Sequence, residues 1–274
     1  MKNQIIIGSV QMPTKESAPK NIDTMHSYLD HISKNLPQIK MVVFPELASA
    51  DFTKKPIDQA EPIPGEKTKI FSEFAKLYKI WLIPGSIYEQ ESEKVYNTCP
   101  VFNPKGELVG RYRKRYPWGP YEKTDPGHQP FVFELNNGAR VGILICYDIW
   151  FPEVSRDLVN LGAEVLIVPT LTSTGDRSQE QAIAKATAIV QQSYVISCNS
   201  VGYVGVGGSQ IIDPEGLVLQ DGGQGAMVQT AVVDFSRVRS LREAGVAGVT
   251  APIKTFYKNK QTFDVYSVEN KKIK

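Results

Sequence analysis

The chain has 274 residues, 42% hydrophobic and 22% charged, with a formal net charge of +2. That is enough chain for a substantial core in one large domain or two small ones, and too little net charge for a nucleic-acid partner. Three widely spaced cysteines, Cys99, Cys146 and Cys198, argue for reduced thiols in a cytoplasmic protein and against a disulfide framework.

In chain order, Gln4 to Val10 is a short apolar strand, its Ile5-Ile6-Ile7 too brief for a signal peptide. Met25, Leu29 and Ile32 lie on one side of a helix over Asn21 to Ile32, and Met41 to Phe44 is a buried strand stopping at Pro45-Glu46. A helix after Gly65 has Ile70, Phe71, Phe74 and Leu77 as its expected core stripe, and Ile80 to Ile87 reads as one strand. Val95 to Phe102 and Leu108 to Tyr112 flank Asn103-Pro104-Lys105-Gly106, a tight-turn composition. Arg113 to Pro130 is a long aperiodic segment rich in proline and aromatic residues, the kind of loop that carries function. Phe131 to Leu135 and Arg140 to Ile145 form a hairpin around Asn136-Asn137-Gly138. Further on come a strand over Glu164 to Val168, a helix over Ser178 to Gln191 capped by Ser178, and a strand over Tyr194 to Asn199. A hairpin around Asp213-Pro214-Glu215-Gly216 echoes the earlier turn, and the last elements are a strand over Val228 to Phe235 and a helix over Arg237 to Ala244. Crossover helices interleaved with hairpins predict an α/β protein with mixed sheets. The echoed turns suggest two similar halves, and the absence of a linker suggests one domain over residues 1–250, with 251–274 a tail for packing or oligomer contact. No stretch is long enough to cross a bilayer, so no membrane partner is expected. With His26, His31 and His128 scattered and no paired ligand spacing, neither a metal site nor a cofactor is expected.

The stretch from Val141 to Glu153 carries the chemistry. A buried strand runs into Cys146, and Pro152-Glu153 open a helix through Val154, Leu158 and Leu161. A thiol held there is a candidate nucleophile, and a helix end aimed at it would favour its thiolate. The alternative is a small buried hydrophobe, the commoner fate of a free cysteine. A nucleophile needs a base and an oxyanion partner. His128 is poorly placed for the base, whereas Glu46 and Lys114 each sit where a buried strand stops. Strand ends are where sites assemble in α/β folds.

Phe44-Pro45-Glu46-Leu47, Tyr112-Arg113-Lys114 and Cys146-Tyr147-Asp148 with Phe151-Pro152-Glu153 resemble, in order and spacing, the three motifs of the nitrilase or carbon-nitrogen hydrolase superfamily. The resemblance spans nearly the whole chain and points to the amidase-like branches. It implies a four-layer α-β-β-α sandwich with two mixed sheets, assembling as a homodimer or higher homo-oligomer. It also implies hydrolysis of a small-molecule amide through a thioester. Cys146 would be the nucleophile and Glu46 the proton shuttle, while Lys114 and the backbone N–H of Tyr147 would bind the oxyanion. Glu122, after Pro117-Trp118, resembles the second glutamate of the aliphatic amidase branch, which braces the lysine and positions substrate; a solvated loop carboxylate is the alternative. Trp118, Tyr147 and Trp150 are candidate pocket walls.

Two departures bear on the substrate. Tyr116 replaces a histidine found in many relatives, moving the chain away from the ω-amidase type. Trp150 stands where an arginine is frequent, which removes a potential clamp for a substrate carboxylate. A small neutral amide is therefore expected. A nitrilase or N-carbamoyl amidohydrolase using the same triad is the neighbouring reading, and a non-catalytic binding or scaffold protein the reading from another class.

Overall fold

A computed structural model of the protein describes residues 3–259, 261–263 and 266. The first half of the chain forms β1 (Gln4–Gln11), a short β2 (Pro13–Thr14), α1 (Ala18–Asn35), β3 (Met41–Val43), the one-turn α2 (Pro56–Gln59), α3 (Glu66–Tyr78), β4 (Trp81–Ile83), β5 (Ile87–Glu91), β6 (Lys94–Phe102) and β7 (Leu108–Arg113). The second forms β8 (Phe131–Glu134), β9 (Arg140–Ile143), a 3-10 turn over Cys146–Trp150, α4 (Pro152–Asn160), β10 (Val165–Pro169), α5 (Arg177–Gln191), β11 (Tyr194–Cys198), a short β12 (Val201–Gly202), β13 (Gln210–Ile212) and β14 (Val218–Asp221). The chain then closes through β15 (Met227–Asp234), α6 (Phe235–Ala244) and α7 (Pro252–Asn259).

Two mixed sheets result, one ordered β15-β1-β3-β4-β6 with β5 and β7 both on β6, the other ordered β14-β13-β11-β10-β9-β8. They repeat one pattern. In each, an antiparallel pair (β15–β1, β8–β9) is followed by two parallel steps (β1–β3–β4, β9–β10–β11) and an antiparallel hairpin (β6–β7, β13–β14). The two hairpin turns match in detail. Asn103 and Asp213 each accept two backbone N–H bonds through Oδ1, and Gly106 and Gly216 each close the turn at positive φ. The echo in the sequence is thus an echo in structure.

Alternation along the strands builds four layers. Ile7, Met41, Val43 and Ile83 of the first sheet share one core with Val141, Ile143, Val165 and Ile196 of the second, so the sheets pack face to face. The opposite face of the first sheet, Val42 and Leu82, lies under Met25, Leu29 and Phe71 of α1 and α3. On the second sheet, a Cβ at Gly142 would come within 3.0 Å of Leu158 Cβ, which brings α4 close against β9.

Four local expectations are corrected. The strand read over Ile80 to Ile87 is two, because Pro84-Gly85-Ser86 turns the chain with Gly85 at φ 81°. The buried stripe of α3 is Thr68, Phe71 and Ala75, while Ile70 and Phe74 are half-buried and Leu77 faces solvent, a rotation set by packing on β4 and β6. Leu161 lies past the end of α4 and is exposed. Asp176, not Ser178, occupies the N-cap of α5, without a side-chain cap bond. In the expected tail, α7 packs through Ile253, whose N–H meets Gln192 Oε1; residues 260, 264–265 and 267–274 lie outside the described set.

Candidate active site

Glu46 leaves the end of β3 on a strained turn. Leu47 has φ 52° and donates its N–H to Ser86 Oγ, and Glu46 N–H reaches across to Thr170 O, just past the end of β10. Lys114 directly follows β7, its N–H on Asn97 O of the neighbouring strand and its carbonyl held by Gly127 N–H. Cys146 opens the 3-10 turn at φ 46°, a conformation rare for a residue with a Cβ and frequent at functional turns.

These three converge. Lys114, only 2% exposed, places Nζ 2.8 Å from Glu46 Oε1 and 2.7 Å from Glu122 Oε2. Asn97 of β6 bridges both carboxylates, donating from Nδ2 at 2.7 Å and 2.8 Å. Glu122 also receives the Trp118 N–H and the Thr124 hydroxyl, its side chain only 11% exposed. Cys146 lines the same cavity as Glu46 and Lys114, and its Sγ lies 3.9 Å from Thr172 Oγ1, which in turn donates to Glu180.

Charge sets the protonation states. Burial raises the Glu46 carboxyl, the Lys114 ammonium pulls it down, and Glu122 pushes it up again, leaving it above its ordinary value. Burial disfavours the Lys114 ammonium, but Glu46 and its neighbours overcome that and hold it charged. Glu122 is likewise buried, yet Lys114 keeps its carboxyl low. For Cys146, burial and the Glu46 charge outweigh Lys114 and drive the thiol well above its usual range. A helix end favouring the thiolate is one expectation for Cys146; the shift runs the other way, toward the protonated thiol. The α4 helix starts at Pro152, beyond the 3-10 turn, and does not open at the sulfur.

Asp148 ties the turn to the loop. Its buried carboxylate accepts from Tyr112 OH and the backbone N–H groups of Ile145, Arg115 and Tyr116, joining the neighbours of Cys146 to those of Lys114. Burial pushes its carboxyl up to about 6.

One cavity of ≈ 230 Å³ is lined by Glu46, Lys114, Glu122, Cys146, Trp118, Tyr147 and Trp150. Sequence reasoning passed over its other walls, Tyr88, Thr172, Asp176 and Glu180 among them, and over Asn97 behind it. An asparagine inside the strand pattern Val95 to Phe102 was the available signal. Three arginines near the site motifs, each a conceivable partner for an anionic substrate, are paired with other groups. Arg113 pairs with Glu89 and Glu91, Arg115 with Asp157, and Arg177 is spent on Gly207 O, Gly208 O, Ser197 Oγ and Glu180. His128 does not line the cavity. No cluster of His, Cys, Asp and Glu suited to a metal, and no helix long and apolar enough to cross a membrane, occurs among the described residues.

The architecture is that of the nitrilase superfamily: it superposes on Saccharomyces cerevisiae Nit3 with a TM-score of 0.80 at 26% identity, covering 88% of this chain and 94% of that one. A carbon-nitrogen hydrolase from Helicobacter pylori gives 0.81 at 24%, covering 97% and 98%. The carbon-nitrogen hydrolase family model matches residues 6–243, and the chain belongs to that family. The omega-amidase NIT2 of Xenopus tropicalis is 33% identical over 250 residues, 85% of this chain and 87% of that one; the Homo sapiens protein is 30% identical over the same shares. The protein is a hydrolase of carbon–nitrogen bonds other than peptide bonds.

Proposed function

We propose that the protein hydrolyses a small, non-anionic amide to a carboxylic acid and ammonia through a Cys146 thioester. The observation that carries this reading is that Cys146 opens into one cavity with Glu46 and Lys114, whose Nζ sits 2.8 Å from the Glu46 carboxylate. Glu46 takes the thiol proton as Sγ attacks the carbonyl carbon. Lys114 holds the developing oxyanion together with the Tyr147 N–H, which lies in the first turn after Cys146 where backbone donors lack helical partners. The tetrahedral adduct collapses, Glu46 returns its proton to the leaving nitrogen, and ammonia departs. Glu46 then takes a proton from water as the water attacks the thioester, and returns it to the departing thiolate, freeing the acid and restoring the thiol. Glu122 and Asn97 keep Lys114 and Glu46 in register throughout.

The substrate reading rests on charge. A carboxylate brought into this cavity would lose its hydration with no guanidinium on the wall to replace it. The omega-amidase activity named for the relatives is therefore not carried over. We further propose one catalytic domain over residues 1–250, a cytoplasmic location and a homo-oligomeric assembly. Measuring ammonia release across amides, nitriles, N-carbamoyl compounds and dicarboxylate monoamides tests the function. Turnover of nitriles alone, or a clear preference for a dicarboxylate monoamide, would refute it.

A further inference from the structure

Resting on the amidase reading, we propose that the pocket selects amides whose remote end carries a positive charge, an alkylammonium or guanidinium group held by Glu180 and Asp176 against aromatic walls. This narrows the non-anionic class to its cationic members.

Three observations lead there. First, the cavity wall holds four carboxylates, Glu46, Glu122, Asp176 and Glu180, against the single cation Lys114. Lys114 is already consumed by Glu46 and Glu122. Second, Glu180 is 2% exposed and its Oε2 is taken by Thr172 and by Arg177 at 3.0 Å, while Oε1 has no hydrogen-bond partner among the described residues. A buried carboxylate oxygen without a donor is costly, and a donor from the ligand removes that cost. Third, Tyr88, Trp118, Tyr121, Tyr147 and Trp150 line the same space. Aromatic faces attract an organic cation, and no aliphatic chain requires so many of them.

The placement is consistent with one bound molecule. Thr172 touches both Cys146 Sγ and Glu180, so Glu180 lies just beyond the nucleophile. Asp176 is four residues earlier, at the N-cap of α5, about 6 Å from Glu180 along the helix axis. Its only side-chain partner among the described residues is Thr174. An amide carbonyl on Cys146 and a cation three or four carbons away would span this distance. No step of the chemistry changes; the charge orients the chain.

The test compares three amides of matched length: 4-aminobutanamide, its neutral isostere pentanamide, and succinamate. The expected result is a kcat/KM for the cationic amide about tenfold or more above that for pentanamide, with succinamate slowest. In Asp176→Asn and Glu180→Gln that cationic-to-neutral ratio should fall at least fivefold. Glu180 is buried beside Arg177, so if its variant does not fold, Asp176 at the rim decides alone. A ratio near one in the wild type, or one unmoved by the variants that fold, overturns the proposal. Calorimetric binding of 4-aminobutanamide and pentanamide to Cys146→Ala gives the same ratio without turnover. Absence of ammonia release from every amide would therefore refute the amidase reading, while the binding ratio still decides the charge preference.

Discussion

Lys114 Nζ and Glu122 Oε2 lie 2.7 Å apart, a buried ion pair between the end of β7 and the loop that follows it. The pair does more than neutralise. Glu122 pushes the Glu46 carboxyl up, which would strengthen it as the proposed base, and it binds the ammonium beside it. Glu122→Gln should therefore lower kcat about tenfold to a hundredfold with a smaller change in KM, since the geometry survives but the charge does not. Steady-state kinetics on a non-anionic amide checks it; unchanged kcat would mean that Glu122 only fills space.

Cys146→Ala should abolish turnover by several orders of magnitude and leave the unfolding midpoint near that of the wild type. Iodoacetamide should label Cys146 long before Cys99 or Cys198, both fully buried, their thiols raised by burial. Because the Cys146 thiol is also raised, labelling should accelerate steadily as pH climbs past neutrality. Peptide mapping by mass spectrometry distinguishes the three sites. Equal labelling would remove Cys146 from its role.

The acid limb of kcat/KM should report Glu46. Its carboxyl is raised above the ordinary 4.5, and only the ionised form can accept the thiol proton. Activity is therefore lost as pH falls through that raised value, and the limb should lie above the range of an exposed glutamate. Stability responds with the opposite sign. The folded state binds this proton more tightly than the unfolded chain, so the contribution of Glu46 to stability falls as pH rises through the same window. Glu46→Gln should cripple activity and flatten both trends. Lys114→Ala should cost about 3 kcal/mol or more in transition-state stabilisation, the oxyanion losing its charge.

Gly85→Ala tests the turn that carries Glu46. With φ at 81°, a Cβ there would lie 1.7 Å from Pro45 O, so either the Pro45-Glu46 peptide or the whole turn must move. We expect a loss on the order of 3 kcal/mol in urea unfolding and a disproportionate loss of activity, because the base shifts with its peptide. A variant as stable and active as the wild type would show that the turn is pliable.

Much of this protein was legible in its residues. Met41-Val42-Val43 and Val165 to Val168 announce buried parallel strands because both of their faces must be apolar. The paired turns at Asn103 and Asp213 disclose the internal repeat because Asx chemistry and a glycine at positive φ are demanded locally. Glu46, Lys114 and Cys146 stand out because each follows a strand end, which sequence can mark. What sequence could not decide is who meets whom. Asn97 joins Glu46 to Glu122 only because β6 runs beside β7, and Glu180 shares the cavity of Cys146 only because α5 is rotated that way on β11. The shift of the Cys146 thiol runs upward, since desolvation depends on every wall of the cavity and not on the nearest charge. Local pattern determines the elements; their packing alone determines which charges are brought out of water together, and that sets the chemistry.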